Sequence, residues 1–106
     1  MASLGSGLAH LVFFTLKDKS PEARDALVAA CHKYLTDHPG VVHFSAGPRA
    51  PQYQRPVNDQ EFDVALVVVF ASAEDHDRYQ EAPRHKAFIV EQRDNWAAVR
   101  VYDAFA

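Results

Sequence analysis

The sequence predicts an α+β domain with the order strand, helix, strand, strand, helix, strand, and three observations predict it. Leu11 to Leu16 and Phe62 to Ala71 are apolar at nearly every position, which suits strands covered on both faces. Ser20-Pro21, and Ser72 with Asp75 three residues later, are helix-start signals soon after each of those runs. Pro39-Gly40 and Pro83 then interrupt the helical patterns.

The first strand is Leu11 to Leu16, with Phe13 and Phe14 adjacent. Ser20 is the expected N-cap of the first helix, Pro21 its first residue, and Glu22 lies where the helix dipole favours a carboxylate. Ala23, Leu27, Ala30, Cys31 and Tyr34 recur at three- and four-residue spacing and form a stripe that can lie on a sheet. Pro39-Gly40 is expected to stop this helix, and Val41 to Ala46 is a short second strand. Gly47 to Glu61 carries Pro48, Pro51 and Pro56 among polar residues and is expected to be a long connection without regular structure. The third strand, Phe62 to Ala71, puts Phe62, Val64, Leu66, Val68 and Phe70 on one face and Ala65, Val67, Val69 and Ala71 on the other. A second helix opens at Ser72, breaks at Pro83 and resumes through Phe88, Ile89 and Trp96, and Val99 to Phe105 is the last strand. This order is the split βαβ pattern of the ferredoxin-like fold, βαββαβ: a four-stranded antiparallel sheet with two helices on one face. Residues 1–8 are expected to be a flexible tail and residues 9–106 a single domain.

In such a fold the sheet face without helices meets water in a monomer and should alternate with polar residues. Here Phe13 and Phe14 cannot share a face, and the third strand is apolar on both. Each large side chain left in water forgoes roughly 1.5–3 kcal/mol of burial. The expectation is a homodimer packed through the open sheet face, a dimeric α/β barrel with an apolar interior able to take a hydrophobic small molecule.

The 106 residues carry a net charge of −3, with 48% hydrophobic and 24% charged residues. That balance leaves no basic footprint, so no nucleic-acid partner is expected. No run reaches the ~18 apolar residues of a membrane span and the start has no signal-peptide pattern, so a soluble, cytoplasmic protein without membrane contact is expected. Cys31, on the apolar stripe, reads as a small buried hydrophobe. His10, His32, His38, His43, His76 and His85 include no i, i+4 pair, and no HExxH or CxxC occurs, so no metal is expected. His32 and His43 read as surface or interface residues. No glycine-rich phosphate loop occurs, and the expected cofactor set is empty.

Tyr79 and His85 are the one acid/base pair the pattern offers. In a continuous helix they stand about 120° and about 9 Å apart, too far to cooperate. Pro83 ends one helical segment and starts another, so the chain can turn and bring His85 back toward Tyr79. An imidazole with an ordinary pKa of about 6.5 takes a proton at neutral pH, and a phenol donates one to a carbonyl oxygen. The pair suits removal of a proton beside a carbonyl followed by carbon–carbon bond formation.

HLVFFTLKD at residues 10–18, FDVALVVVFASAEDHDRYQEAPRHKAF at 62–88 and VRVYDAF at 99–105 resemble the stress-responsive α/β-barrel (Dabb) family. The resemblance implies ferredoxin-like dimers whose sheets form a shared barrel, in a family of mixed functions. One plant member is a cofactor-free polyketide cyclase whose catalytic tyrosine and histidine correspond to Tyr79 and His85. That implies catalytic roles for His85, as general base, and Tyr79, as carbonyl partner, in an aldol-type ring closure. His10 matches a histidine that begins the first strand in such relatives, and with Val12, Phe14 and Phe88 it is the expected substrate-binding set. The chain departs from many relatives at Ala82-Pro83, where they carry His-Pro. The alternatives are a non-catalytic stress-responsive binding or structural dimer, and a cofactor-independent monooxygenase of the kind found on other dimeric ferredoxin-like barrels.

Overall fold

The computed structural model describes residues 6–106. Strand β1 (Leu8–Leu16) leads into α1 (Pro21–Leu35), β2 (Val41–Pro48), β3 (Val64–Phe70), α2 (Ala73–Glu81), α3 (Pro83–Gln92) and β4 (Trp96–Phe105), with a single 3₁₀ turn at Arg93–Asn95 before β4. The strands form one antiparallel sheet in the order β2-β3-β1-β4, which is the expected ferredoxin-like α+β fold. Three helices, not two, accompany the sheet. Pro83 lacks the N–H that would continue α2, and Ala82 before it takes extended dihedrals (φ −66°, ψ 139°). Of the expected tail, residues 1–5 lie outside the described residues. Gly7 exchanges two backbone hydrogen bonds with Ala106, and Leu8 already belongs to β1.

Local chemistry explains where elements start and stop. The Ser20 hydroxyl accepts from the Ala23 N–H at 3.1 Å, and the Ser72 hydroxyl from Asp75 at 3.2 Å, so both expected caps form. Helix α1 ends at Leu35, before Pro39-Gly40: the Thr36 hydroxyl donates back to the His32 carbonyl, and Asp37 turns the chain at φ 63°. Strand β3 starts at Val64, two residues later than expected, because Asp63 is used elsewhere. Its N–H donates to the Phe14 carbonyl, and its carboxylate accepts from the Leu16 N–H and the Lys19 ammonium at 2.8 and 2.9 Å. Trp96 corrects the expectation of a helix running through it. Asp94 and Asn95 are weak at prolonging α3, and Trp96 instead opens β4 opposite Leu16.

The strict alternation of β1 and β3 sorts the sheet into two faces. Leu8, His10, Val12, Phe14 and Leu16, with Val64, Leu66, Val68 and Phe70, are buried against the helices. Leu27, Cys31 and Leu35 of α1 and Phe88 of α3 close this core, so Cys31 is the buried hydrophobe expected of it. The opposite face carries Ala9, Leu11, Phe13, Ala65, Val67 and Val69, each half-buried. One end of that face is covered by the proline-rich connection: Phe62 packs edge-on against Phe13, and Asp59 pairs with Arg100 at 2.5 Å. Arg49 holds the connection in shape by donating to the Phe62 carbonyl and the Gln60 amide.

Gly40 ties β2 to the start of α2. It sits at φ 82°, its carbonyl accepts the Ala71 N–H, and a Cβ there would lie 2.1 Å from the Asp75 carboxyl carbon. Gly40→Ala is expected to cost about 1–3 kcal/mol, through backbone strain and displacement of the α2 cap. Urea unfolding with an unchanged m-value checks it; a loss below ~0.5 kcal/mol contradicts it.

Candidate functional site

The break at Pro83 does bring the expected pair together. Tyr79 stands two residues before the end of α2 and His85 three residues into α3, and their rings meet edge to face with centroids 4.6 Å apart. Arg84 locks the angle of α3 by donating to the Thr36 and Lys33 carbonyls at the end of α1, both at 2.8 Å. His38 bonds the Tyr34 carbonyl through its Nε2 and lies edge-on to Tyr79 at 5.0 Å. Tyr79 is thus wedged between two imidazoles, with 2% of its surface exposed.

Both side chains line a cavity of about 260 Å³ between the helices and the sheet. Val12 and Phe14 of β1 form its floor, Phe88 and Ile89 of α3 its roof, and Trp96, Val99 and Val101 of β4 one wall. The four residues expected to bind substrate, His10, Val12, Phe14 and Phe88, therefore share one cavity with Tyr79 and His85. This cavity does not lie on the open sheet face, where a chamber between subunits was expected. Even-numbered residues of β1 face the helices, so the cavity is built within a single protomer, on the sheet face opposite the one assigned to a partner. Val99 and Val101 are 39% and 49% exposed, which places the cavity's rim along β4.

Three buried side-chain atoms among the described residues have no hydrogen-bond partner: Tyr79 Oη, His85 Nδ1 and Trp96 Nε1. All three belong to residues lining this cavity. A buried polar group left unpaired costs about 1–3 kcal/mol, so such groups mark places where a ligand can complete the bonding. Trp96 was not expected here, since its indole reaches the site only by starting β4; its ring packs on Phe14 at 4.9 Å and Phe88 at 5.7 Å.

Burial sets the protonation states. Desolvation, helped by the nearby His10 and His38, pushes His85 down to about 4, so the imidazole is neutral and free to accept a proton near pH 7. Desolvation pushes the Tyr79 phenol above its ordinary value, keeping it a hydrogen-bond donor. His10 is lowered by burial, against the opposing pull of its bond to Asp103. Cys31, below the site, is pushed up to about 12 by burial and is no nucleophile.

A polar cluster closes one end of the cavity. His10 Nδ1 meets Asp103 Oδ1 at 2.5 Å, His76 Nε2 lies 3.9 Å from the same oxygen, and His76 Nδ1 bonds Asp77 at 3.1 Å. His76 and Asp103 escaped the sequence reading because spacing along one element does not reveal donors brought together from β1, α2 and β4. His32 and His43 are exposed, as expected of them.

The family described as Stress responsive A/B Barrel Domain matches residues 8–106. A dimeric ferredoxin-like protein of unknown function from Thermobifida fusca superposes with a TM-score of 0.79 at 18% identity, covering 96% of this chain and 92% of the other. A Dabb family protein with a ferredoxin-like fold from Mesorhizobium loti gives 0.79 at 23% identity, covering 95% and 97%. The hydroxynitrile lyase from Passiflora edulis gives 0.76 at 19% identity, covering 96% and 94%. No protein of curated function matches the chain. No helix among the described residues is long and apolar enough to cross a membrane.

Proposed function

This chain belongs to the stress-responsive A/B barrel domain family, and on that premise we propose that it acts on a hydrophobic carbonyl compound held in the cavity, with His85 as general base and Tyr79 as hydrogen-bond donor to the carbonyl oxygen. The observation that carries this reading is that Tyr79 and His85, whose rings meet at 4.6 Å and whose Oη and Nδ1 have no hydrogen-bond partner, both line one largely apolar cavity. A neutral imidazole removes a proton from carbon beside the carbonyl, the phenol stabilises the oxygen as charge develops, and the apolar walls keep water from competing. In aldol-type ring closure, which the sequence resemblance implies, the base takes its proton from carbon. In cleavage of a hydroxynitrile, the activity named for the Passiflora edulis neighbour, the same base takes the hydroxyl proton as the bond to the nitrile carbon breaks, and the cyanide leaves with that proton as hydrogen cyanide, releasing the aldehyde. The protein works as a homodimer through the open sheet face, whose half-buried Leu11, Val67 and Val69 support the pairing, as does the dimeric Thermobifida fusca neighbour.

Two probes test the reading: an aromatic hydroxynitrile followed by aldehyde release, and a linear polyketo thioester followed by appearance of the cyclised phenol. Saturable turnover of either, inhibited by benzaldehyde that also raises the melting temperature, is the expected result. A melting temperature that responds to benzaldehyde with neither probe turned over leaves a binding protein and ends the catalytic assignment.

A further inference from the structure

We infer that His10, His76 and Asp103 form a binding site for a divalent first-row transition cation at the polar end of the cavity. One ligand atom from each of the three residues lies within 4.8 Å of the others. Nitrogen and oxygen ligands at about 2.0–2.2 Å from a tetrahedral metal sit roughly 3.3–3.6 Å from one another. The observed 2.5 Å from His10 Nδ1 to Asp103 and 3.9 Å from His76 Nε2 to Asp103 bracket that spacing. The widest separation in the set, up to 4.8 Å, exceeds that spacing, so closing on a cation takes a rotation of the His76 ring toward His10 as well as a pivot of the half-exposed Asp103 carboxylate.

The hydrogen bonds around His76 point the same way. Ionised Asp77 can only accept, so its 3.1 Å bond to His76 assigns the proton to Nδ1 and leaves a lone pair on Nε2. That lone pair faces Asp103 Oδ1, another acceptor, and the remaining contact of Nε2 is the Gln80 amide at 3.3 Å. Nε2 accepts from the Gln80 amide and Asp103 Oδ1 from His10 Nδ1, and a cation bound here takes the place of those two protons on the same two acceptors. An imidazole whose second nitrogen is held by a carboxylate is also the usual outer arrangement of a metal-bound histidine. His10 is 5% exposed, and its ring centroid lies 5.0 Å from that of His76 and 6.0 Å from that of Tyr79, so the first ligand is held in place by packing.

Two imidazoles and one carboxylate, with no thiolate, select zinc, cobalt, iron or nickel over calcium, magnesium or cuprous copper. Three protein ligands leave an open coordination position, and because all three residues line the cavity, that position is available to a ligand bound there. The site stands whether or not His85 is a base.

The test is a titration of the full chain, first stripped with chelator, with Co²⁺ followed by visible absorption and with Zn²⁺ followed by calorimetry. One Co²⁺ per chain at micromolar or tighter affinity is expected. His76→Ala and Asp103→Asn should each weaken binding at least tenfold, and exposed His32→Ala should leave it unchanged. Near-UV circular dichroism verifies the fold of each variant, and His76→Gln replaces any His76→Ala protein that does not fold. No saturable binding below 1 mM, or binding that the His76 and Asp103 variants leave within twofold of the parent, overturns the assignment. So does binding that His32→Ala removes.

Discussion

His85→Ala is expected to lower kcat by about 10²–10⁴-fold on whichever probe the parent turns over, the range a positioned general base contributes. The fold should survive, since His85 Nδ1 is buried without a partner and deleting it removes that penalty along with some packing. A melting temperature equal to or above the parent's, with activity gone, separates a catalytic role from a structural one. The pH profile supplies a second check. The base works when neutral, and its value of about 4 keeps it neutral far below the ordinary histidine range, so kcat should hold level from pH 7 to about pH 5. Stability moves the other way on acidification. The unfolded chain binds the proton near pH 6.5 and the folded one only near pH 4, so stability falls between those values as pH falls, and His85→Ala should flatten that decline. A rate that halves near pH 6.5, or an Ala variant with parental turnover, sinks the assignment.

Val67→Glu is expected to convert the proposed dimer to monomers. Val67 lies on central strand β3, opposite Leu11 of β1 and Ser45 of β2, in the middle of the face without helices. A carboxylate closed into that apolar contact without a partner costs about 3–5 kcal/mol, enough to weaken association by roughly 10²-fold or more. Exposed in a monomer, the same carboxylate costs little, so the variant should stay folded and change only its mass in sedimentation. The connection already shields Phe13 through Phe62 and Asp59–Arg100, which makes Leu11, Val67 and Val69 the decisive patch. A Val67→Glu protein that still sediments as a dimer at micromolar concentration places the interface elsewhere.

Much of the fold was legible because its signals are local. Ser20-Pro21 and Ser72 bond the backbone a few residues away, and the two-residue period of Val64 to Phe70 sorts its side chains onto two faces regardless of what covers them. Pro83 announced the helix break for the same reason, and with it the meeting of Tyr79 and His85. Boundaries that depend on distant partners were not legible. Phe62 and Asp63 look like strand residues until Asp63 is claimed by Phe14, Leu16 and Lys19, and Trp96 looks helical until Leu16 offers it a strand.

By itself the sequence determined the order of elements, the caps, the kink and the apolar character of both sheet faces, since each follows from residues within a few positions of one another. Only the tertiary structure decided that the cavity belongs to one protomer, that Trp96 joins it, and that His10, His76 and Asp103 converge at its end. Those are contacts between segments up to 93 residues apart, and antiparallel register, not local propensity, sets which side chains meet across such distances.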